Sequence, residues 1–553
     1  MRKLSFCLIA GVFSYCACSK KENNVPAPKN PIAKSITINT VTFNSTVNNV
    51  NVQPIIRISF SEPLMQSTIA SAVSLKDAGN KAIPFTAVLQ NMDSVLLIQP
   101  SSSLSYLSEY NLFVSTALKS VSDGNLQASI DRLFITTIDS SRKFPTITDD
   151  ALLTKIQQQT FKYFWDLAHP VSGMARERNT DANIYTSGGT GFGIMAIVTA
   201  IHRNFISRAE GLTRLQTMVS FLKNTAETFH GAYPHWMNGQ SGKVIPFSLN
   251  DNGADLVETS YLIQGLLTAR QYFNNASADE TNLRNDINAI ADKVEWDWFR
   301  KNNENTLYWH WSSTNANGWI MNMQVKGWNE SLITYVLAAS STSHPVPKAV
   351  YDNGWASNGT MKNGNTYYGY QLPLGPDRGG PLFFAHYSFL GINPEGLSDT
   401  YANYSTQTKN HTLINYNYCK TNPQNYFGYS DSVWGLTASD IENGYNASSP
   451  TSDLSFIAPT AALSSFPYTP TESMKALKFF YYVLGDKIWK EYGFVDAFSL
   501  HNLWFANSYL AIDQGPIIVM IENYRSGLLW NLFMSCPEVK TGMLGLGFAG
   551  PNL

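Results

Sequence analysis

Carboxylic acids occur at a spacing that could support acid–base chemistry. Asp251, Asp255 and Glu258 stand at positions i, i+4 and i+7, which places them on one face of a helix if Asn250 or Asp251 caps it. Like charges at this spacing oppose a helix by roughly 0.2–0.5 kcal/mol per pair, so this face is a candidate catalytic site. The alternative is that Asp251 only caps the helix and Asp255 only complements its dipole.

A further acid, Glu330, follows Trp328 at another predicted helix start. An indole beside a carboxyl excludes water and raises the pKa of the acid, as a general acid working at neutral pH requires. Asp440 and Asp513 are isolated acids in aromatic, glycine-containing segments. Each of these two could hydrogen-bond a sugar or cap a helix.

Aromatic residues make up 13% of the 553-residue chain. Sugars present apolar C–H faces that stack on aromatic rings, and cleavage of a glycosidic bond needs positioned carboxyl groups, so the combination indicates a carbohydrate ligand. More than half of the rings are expected in the core. The residues predicted to contact sugar are Trp236, Trp328, Tyr367, Tyr368, Trp434, Asp440 and His386.

Charge and motif content exclude several other functions. The net charge is −2 and only 14% of residues are charged, so nothing indicates nucleic-acid binding, whereas a neutral glycan is compatible. The glycine-rich run 187–193 lacks the Lys-Ser/Thr of a phosphate loop and predicts a tight entry into a helix. Neither H-E-x-x-H nor G-x-S-x-G occurs. Cys419 and Cys536 lack C-x-x-C spacing, so neither a metal site nor a disulfide framework is expected.

The first residues are typical of a bacterial lipoprotein signal peptide, assigned to 1–18. Arg2 and Lys3 precede an apolar run, 4–13, that is too short to span a bilayer, and Cys18 follows a small residue. Cys18 is the predicted lipidated residue and 19–33 a flexible tether. This predicts a lipid-anchored protein of the cell envelope, in the periplasm or at the outer membrane. The alternative is an ordinary secretory peptide and a secreted protein.

Residues 34–139 carry short alternating runs typical of a β-sandwich. Strands are predicted at Ile55–Phe60, Ser94–Ile98, Tyr110–Val114 and Leu133–Ile135. The segment resembles the bacterial immunoglobulin-like modules that precede catalytic domains on secreted enzymes. It suggests a spacer or docking role.

Residues 148–553 carry helical periodicity instead, starting with a helix capped near Thr148. Helices joined by long functional loops predict an α-toroid, in which loops at one end form the site. The further amphipathic stretches are Gly193–His202, Leu212–Phe229, Leu256–Phe273, Leu283–Phe299, Ser331–Ala339, Thr471–Tyr482 and Trp504–Ile512.

A set of ordered motifs then carries a family resemblance. These motifs are Tyr185–Gly193, the Asp251/Asp255/Glu258 helix, Gly327–Glu330, Gly379–Phe383, Trp434–Asp440, Ile457–Ala462 and Ala511–Pro516. Over roughly residues 150 to 550 the chain resembles the glucoamylase-like family that contains the bacterial β-1,2-glucanases of glycoside hydrolase family 144.

The resemblance implies an all-α (α/α)6 toroid behind the all-β module. It also implies inverting hydrolysis of β-1,2-glucan or its oligosaccharides, without metal or organic cofactor. Glu330 matches the acid of the family's central cleft, and the candidate base lies among Asp251, Asp255, Glu258 and Asp513. The expected partners are a neutral β-glucan and, through the lipid, a membrane; a monomer is expected.

Two other functions remain open from the sequence. A polysaccharide lyase could use the same toroid with a Tyr/His pair, although its usual uronic-acid substrates favour a basic cleft. A non-catalytic glycan-capture lipoprotein would need the aromatic residues but not the acids.

Overall fold

The computed structural model describes residues 27–553. The predicted signal peptide, Cys18 and the first part of the tether lie outside the described residues. The chain divides into two compact units at Asp139/Ser140. Within the described part of the chain, none of the helices has the length and apolar character needed to cross a membrane.

The amino-terminal unit contains two β-sheets, in the strand orders β2-β1-β4-β7-β6 and β3-β9-β8-β5. Alternation produces its core: Ile56, Ile58 and Phe60 are buried, while Arg57 and Ser59 between them are partly exposed. The four predicted strands are confirmed. The strands are β1 Ala33–Ile38, β2 Val41–Thr42, β3 Val47–Val50, β4 Ile56–Phe60, β5 Val73–Asp77, β6 Phe85–Gln90, β7 Val95–Pro100, β8 Glu109–Val114 and β9 Ile130–Thr136, with a short helix α1 Gln66–Ala72.

The carboxy-terminal unit is helical. Its first helix begins after Thr148, whose side chain accepts from the Ala151 amide, as predicted. The helices are α2 Asp149–Asp166, α3 Ser187–His202, α4 Arg208–Asn224, α5 Leu256–Tyr272, α6 Ala278–Asp292, α7 Leu332–Ser340, α8 Lys348–Val350, α9 Tyr404–Thr421, α10 Pro459–Leu463, α11 Pro470–Tyr482, α12 Gly485–Ile488, α13 Ala511–Ser526, α14 Leu528–Met534 and α15 Pro537–Leu546.

Short strands form ribbons in the loops between these helices. One of them pairs Asp255 with His310 across two chain segments. The strands are β10 Ile184–Thr186, β11 Trp236–Asn238, β12 Val244–Ile245, β13 Ala254–Asp255, β14 His310–Trp311, β15 Thr366–Tyr367, β16 Tyr370–Gln371, β17 Ala438–Ile441, β18 Gly444–Ala447, β19 Trp489–Lys490, β20 Gly493–Phe494, β21 Phe498–Ser499 and β22 Trp504–Phe505.

Several segments differ from the helix predictions: one predicted stretch is partly strand, two extend past the helices found there, and α9, α10, α14 and α15 were not predicted. The stretch 504–512 starts as strand β22, paired with β21, and helix α13 begins only at Ala511. Helix α9 was not among the predicted stretches, because its polar residues mask a helical period even though many of them are buried. In the stretch 504–512 and in α9, burial against the rest of the fold decides the secondary structure, rather than the local sequence pattern.

Nearly fully buried helices alternate along the chain with half-buried ones. Helices α3, α5, α7 and α13 are buried on almost every side, whereas α2, α4, α6 and α11 each keep an exposed face. Helix α3 packs against α2, α5 and α13, and α5 packs against α7. The buried helices therefore form an inner set covered by an outer set.

Helices α3 and α5 approach so closely that glycine is required at their contact. A Cβ atom on Gly191 would lie 2.1 Å from the Tyr261 carbonyl oxygen, and one on Gly265 would lie 2.2 Å from the Gly191 carbonyl oxygen. The glycine-rich run forms the first turns of α3 itself, so its glycines serve helix packing.

The substitution Gly191→Ala should lower the free energy of unfolding by at least about 1–3 kcal/mol, because the new methyl group overlaps backbone that cannot move aside. Denaturant unfolding measures this change. Gly545→Ala is the matched control: it lies in α15 with open space around its Cβ and should be neutral or stabilising by up to about 1 kcal/mol. Equal stability of the two variants would contradict the close packing.

Candidate active site

Acidic and aromatic side chains meet in a cavity of about 220 Å³ in the helical unit. The segments around it are helix starts and loops: Asp255 caps α5, Glu330 precedes α7 and Ile512 lies in the first turn of α13. The lining residues are His235, Phe247, Asp251, Asp255, Glu258, Tyr261, Trp309, His310, Met323, Glu330, Phe383, Tyr387, Ala438, Tyr445 and Ile512. Four of the predicted acids thus line the same cavity: Asp251, Asp255, Glu258 and Glu330.

Asp255 is the most heavily hydrogen-bonded acid of the cavity. Its Oδ1 accepts from the amides of Val257 (3.0 Å) and Glu258 (2.9 Å), which caps α5. Its Oδ2 lies 3.3 Å from His235 Nδ1 and 3.5 Å from His310 Nε2. Burial opposes ionisation, but the two histidines outweigh it and hold the Asp255 pKa below its usual range. Asp255 is therefore a carboxylate at neutral pH.

The two histidines balance part of this negative charge. Burial alone would lower the His235 pKa, but the charges of Glu258 and Asp255 raise it to about 10. Burial also opposes protonation of His310, and Asp255 and Asp251 outweigh it to raise the His310 pKa. Both imidazoles therefore favour the protonated state. Neither histidine stands in a sequence motif that predicts a catalytic role.

Asp251 does not cap the helix, contrary to one alternative in the sequence analysis. It lies in the loop before α5, because Asp255 takes the cap position. Its Oδ2 is 3.5 Å from His310 Nε2. Burial, together with the Asp255 charge, raises the Asp251 pKa to about 6. Asp251 therefore remains able to exchange a proton near neutral pH.

Glu258 follows one turn after the cap and connects α5 to α3. Its Oε2 accepts from the Gly188 amide at 2.9 Å and lies 3.4 Å from Thr186 Oγ1. A Cβ on Gly188 would lie 2.2 Å from that oxygen, so glycine is required for this contact. Burial, aided by the Asp255 charge and opposed by His235, raises the Glu258 pKa to about 7.

Glu330 lines the cavity from the loop before α7. Its backbone carbonyl accepts from the Ser388 hydroxyl and, at 3.5 Å, from the Tyr261 hydroxyl. Burial raises the pKa of its carboxyl to about 7, and the charges of Glu258 and Asp255 act in the same direction. Glu330 is thus partly protonated at neutral pH, as a general acid requires.

The indole predicted to raise the Glu330 pKa is not at the cavity. Trp328 is 4% exposed and packs against Trp355, Phe389 and Tyr404. Enclosure within the cavity supplies the desolvation instead.

A second acidic cluster contains Asp440, Asp496 and Asp513. Arg178 Nη1 lies 2.6 Å from Asp440 Oδ1, and the Asp440 amide donates to Asp496 Oδ2 at 2.7 Å. Burial and the Asp496 charge raise the Asp513 pKa well above its usual value. Burial and the Asp440 charge raise that of Asp496 to about 7. Asp513 lies beside the cavity residue Ile512, and no spacing pattern in the sequence pointed to Asp496.

Both units of the chain are similar to known proteins. Residues 322–537 match the family described as "Putative glucoamylase", and residues 33–137 match the bacterial Ig-like domain. An endo-β-1,2-glucanase of Chitinophaga pinensis, solved with sophorotriose and glucose, is 50% identical, with 74% of this chain and 100% of that chain covered and a TM-score of 0.72. The chain belongs to the glucoamylase-like family that contains the bacterial β-1,2-glucanases.

Two further relatives show how far this family likeness extends. A protein of Bacteroides uniformis described as a putative glucoamylase is 52% identical, with 74% of this chain and 100% of that chain covered and a TM-score of 0.73. An exo-β-1,2-glucooligosaccharide sophorohydrolase of Parabacteroides distasonis is 45% identical over 426 residues, which cover 73% of this chain. The match spans 58% of the length of that curated relative.

Several predicted sugar contacts lie elsewhere in this glucoamylase-like unit. Trp328, Trp434 and His386 are buried in the core and do not line the cavity, because ring packing and internal hydrogen bonds enclose them. Tyr367 and Tyr368 belong to the β15–β16 hairpin region and are likewise absent from the lining. Burial corrects Trp328, Trp434 and His386 to structural positions, whereas sugar contact by Tyr367 and Tyr368 stays a prediction.

Two other predicted contacts occupy intermediate positions. Asp440 is ion-paired with Arg178 rather than lining the cavity. Trp236 packs against His235 and Phe247, which do line it. Five further aromatic rings line the cavity but were not predicted, since nothing in their spacing separates them from core aromatics. These are Phe247, Trp309, Phe383, Tyr387 and Tyr445.

Three cavity residues could also supply metal ligands. His235, Asp251 and Asp255 present ligand atoms within 4.8 Å of one another. A metal would require neutral His235, whereas the neighbouring carboxylates raise the pKa of His235 to about 10. Without an ion the site pairs a protonated imidazole with carboxylates, and a metal would have to displace that proton.

Raised carboxyl pKa values make stability depend on pH. Asp251 (about 6), Glu258 and Glu330 (each about 7) hold protons in the folded chain that they have lost in the unfolded chain. Each of these three acids therefore lowers folding stability as pH rises from 5 to 8, and the raised pKa values of His235 and His310 add a loss above about pH 6.5. His386 and His411, whose burial lowers their pKa values to about 3 and about 4, act in the opposite direction below about pH 6.5.

Thermal melting of the wild type and Glu330→Gln across this range measures the effect. The variant cannot ionise at residue 330, so its melting temperature should fall less steeply. An identical pH dependence of the two melting temperatures would contradict the raised pKa of Glu330.

Proposed function

We propose that the helical unit is a glycoside hydrolase that cleaves β-1,2-linked glucan or its oligosaccharides. The observation that carries the proposal is a half-buried Glu330 with a pKa of about 7 in the same cavity as an ionised Asp255 and a titratable Asp251. Two relatives support the β-1,2 linkage, because both are enzymes named for their action on β-1,2-linked glucose chains. The aromatic lining suits sugar rings.

In this proposal the reaction inverts the anomeric centre. Protonated Glu330 donates its proton to the leaving glycosidic oxygen, directly or through a substrate hydroxyl. A water molecule attacks the anomeric carbon and transfers its proton to a carboxylate. After product release, Glu330 regains a proton and the base loses one, so each turnover consumes one water molecule.

Asp251 fits the role of base best among the four candidate acids. It lines the cavity, and its pKa of about 6 leaves it ionised at neutral pH while still basic. Asp255 is saturated by two amides and two histidines, and Glu258 accepts from Gly188. Asp513 pairs with Asp496 and does not line the cavity.

We also propose that the inner and outer helices close into an (α/α)6 toroid. The alternation of fully buried and half-buried helices supports this closure, as does the packing of α3 between α5 and α13. The cavity residues on helix starts and loops would then lie at one end of the toroid.

Glu330→Gln keeps the shape of the acid but cannot donate the proton. Its turnover of β-1,2-glucan should fall by roughly 10²- to 10⁴-fold with little loss of binding, and Asp251→Asn should fall comparably. Chromatography of timed digests measures both, and a panel of β-1,2-, β-1,3- and β-1,4-glucans and starch tests the linkage.

Two controls make this result specific. Glu395→Gln changes an exposed glutamate and should leave turnover unchanged. Asp513→Asn should cost less than Asp251→Asn; the reverse order would move the base to Asp513. Near-normal turnover of Glu330→Gln, or products with the ultraviolet absorbance of a lyase reaction, would refute the proposed mechanism.

We propose further that the chain is anchored to the cell envelope by a lipid on Cys18. The basic start, the short apolar run and the Ala17-Cys18 pair support this assignment. Cys18→Ala should leave the protein unprocessed or released from the membrane fraction, because a lipid chain supplies the anchoring free energy. Fractionation followed by mass spectrometry of the mature amino terminus tests it, and a soluble, normally cleaved wild type would contradict it.

A further inference from the structure

One aromatic side chain of the cavity lies on a hairpin that also carries an ion pair. Tyr445 lies on strand β18, directly opposite Asp440 on β17. It lines the cavity and is 46% exposed, whereas the other tyrosines of the lining, Tyr261 and Tyr387, are 2% and 6% exposed. The Tyr445 ring is therefore a large, accessible apolar surface beside the candidate catalytic acids.

Asp440 fixes the hairpin that carries this ring to three separate segments. Its carboxylate oxygens lie 2.6 and 2.7 Å from Arg178 Nη1, and Oδ2 also accepts from the Ser508 hydroxyl. Its amide donates to Asp496 Oδ2 at 2.7 Å. Charge-assisted contacts of this kind fix geometry as well as adding stability.

Arg178 contacts both partners of the strand pair. Besides binding Asp440, its guanidinium carbon lies 5.6 Å from the centre of the Tyr445 ring, a cation–π distance. Arg178 also forms a backbone bridge to Leu510, the residue before α13. The bridge to Leu510 therefore ties Arg178 to the start of α13, and Arg178 in turn contacts the Tyr445 ring.

We propose that Tyr445 is a stacking platform for a glucosyl unit at the cavity and that Arg178 and Asp440 are positioning residues that hold its ring. The inference rests on the proposed function and adds a substrate-binding residue to it. A half-exposed ring with two rotatable side-chain bonds offers the apolar face of a sugar a rigid surface at small entropic cost. The same arrangement explains why Asp440 is ion-paired instead of facing the cavity.

Calorimetric binding of the β-1,2-linked glucose trisaccharide to the Glu330→Gln protein tests the platform without interference from turnover. Adding Tyr445→Ala should raise Kd roughly 5- to 10-fold, the loss expected for one aromatic contact, whereas Tyr445→Phe should leave Kd nearly unchanged. Tyr524→Ala is the matched control, since Tyr524 is 42% exposed on α13 and lies outside the cavity lining. Equal Kd values for the Tyr445→Ala and Tyr524→Ala proteins would overturn the inference.

A double-mutant cycle tests the positioning role. Arg178→Gln should raise Kd in the Tyr445 background but have no further effect in the Tyr445→Ala background, because it acts through the ring. Independent, additive losses would overturn the role of Arg178, and Asp440→Asn is tested in the same way. A general loss of folding would appear in the melting temperature and would not produce this selective coupling.

The outcomes separate this inference from the proposed function. If the wild type hydrolyses β-1,2-glucan and Tyr445→Ala binds the trisaccharide normally, the platform is refuted and the function stands. If the wild type neither binds nor hydrolyses β-1,2-linked substrates, the proposed function fails and the inference fails with it.

Discussion

The structure depends on burying more carboxyl groups around one small cavity than there are positive charges to balance them. Asp251, Asp255 and Glu258 share His235 and His310. Asp255 takes most of this compensation and stays ionised, so its charge raises the pKa of the remaining acids. Because the two histidines stabilise Asp255 more than the other acids, Asp255 is ionised while the other acids can hold protons near neutral pH.

The same carboxyl groups also take part in the packing of the inner helices. Asp255 caps the buried helix α5, and Glu258 one turn later is reached by the Gly188 amide from the start of α3. These contacts require α3 and α5 to lie unusually close, which glycine permits at Gly188 and Gly191. The geometry of the candidate site and the packing of α3 on α5 therefore share contacts, and a change to one alters the other.

The sequence predicted the helical and all-β units and the acids of the cavity, because periodicity and carboxyl spacing are local properties. It did not predict which aromatic rings face the cavity: Trp328 and Trp434 are core, while Phe247 and Tyr445 line it. Exposure of a ring is decided by contacts between distant segments. The pairing of His310 with Asp255 likewise depends on a ribbon between two loops, and no local pattern encodes it.

Burial raises the Glu330 pKa to about 7, so its carboxyl is partly protonated at neutral pH. Carbon-13 NMR titration of carboxyl-labelled glutamate in the wild type and in Glu330→Gln tests this assignment. The wild type should show a resonance that titrates near pH 7 and is missing from the variant. A Glu330 resonance that titrates near the ordinary glutamate value of about 4.3 would contradict it.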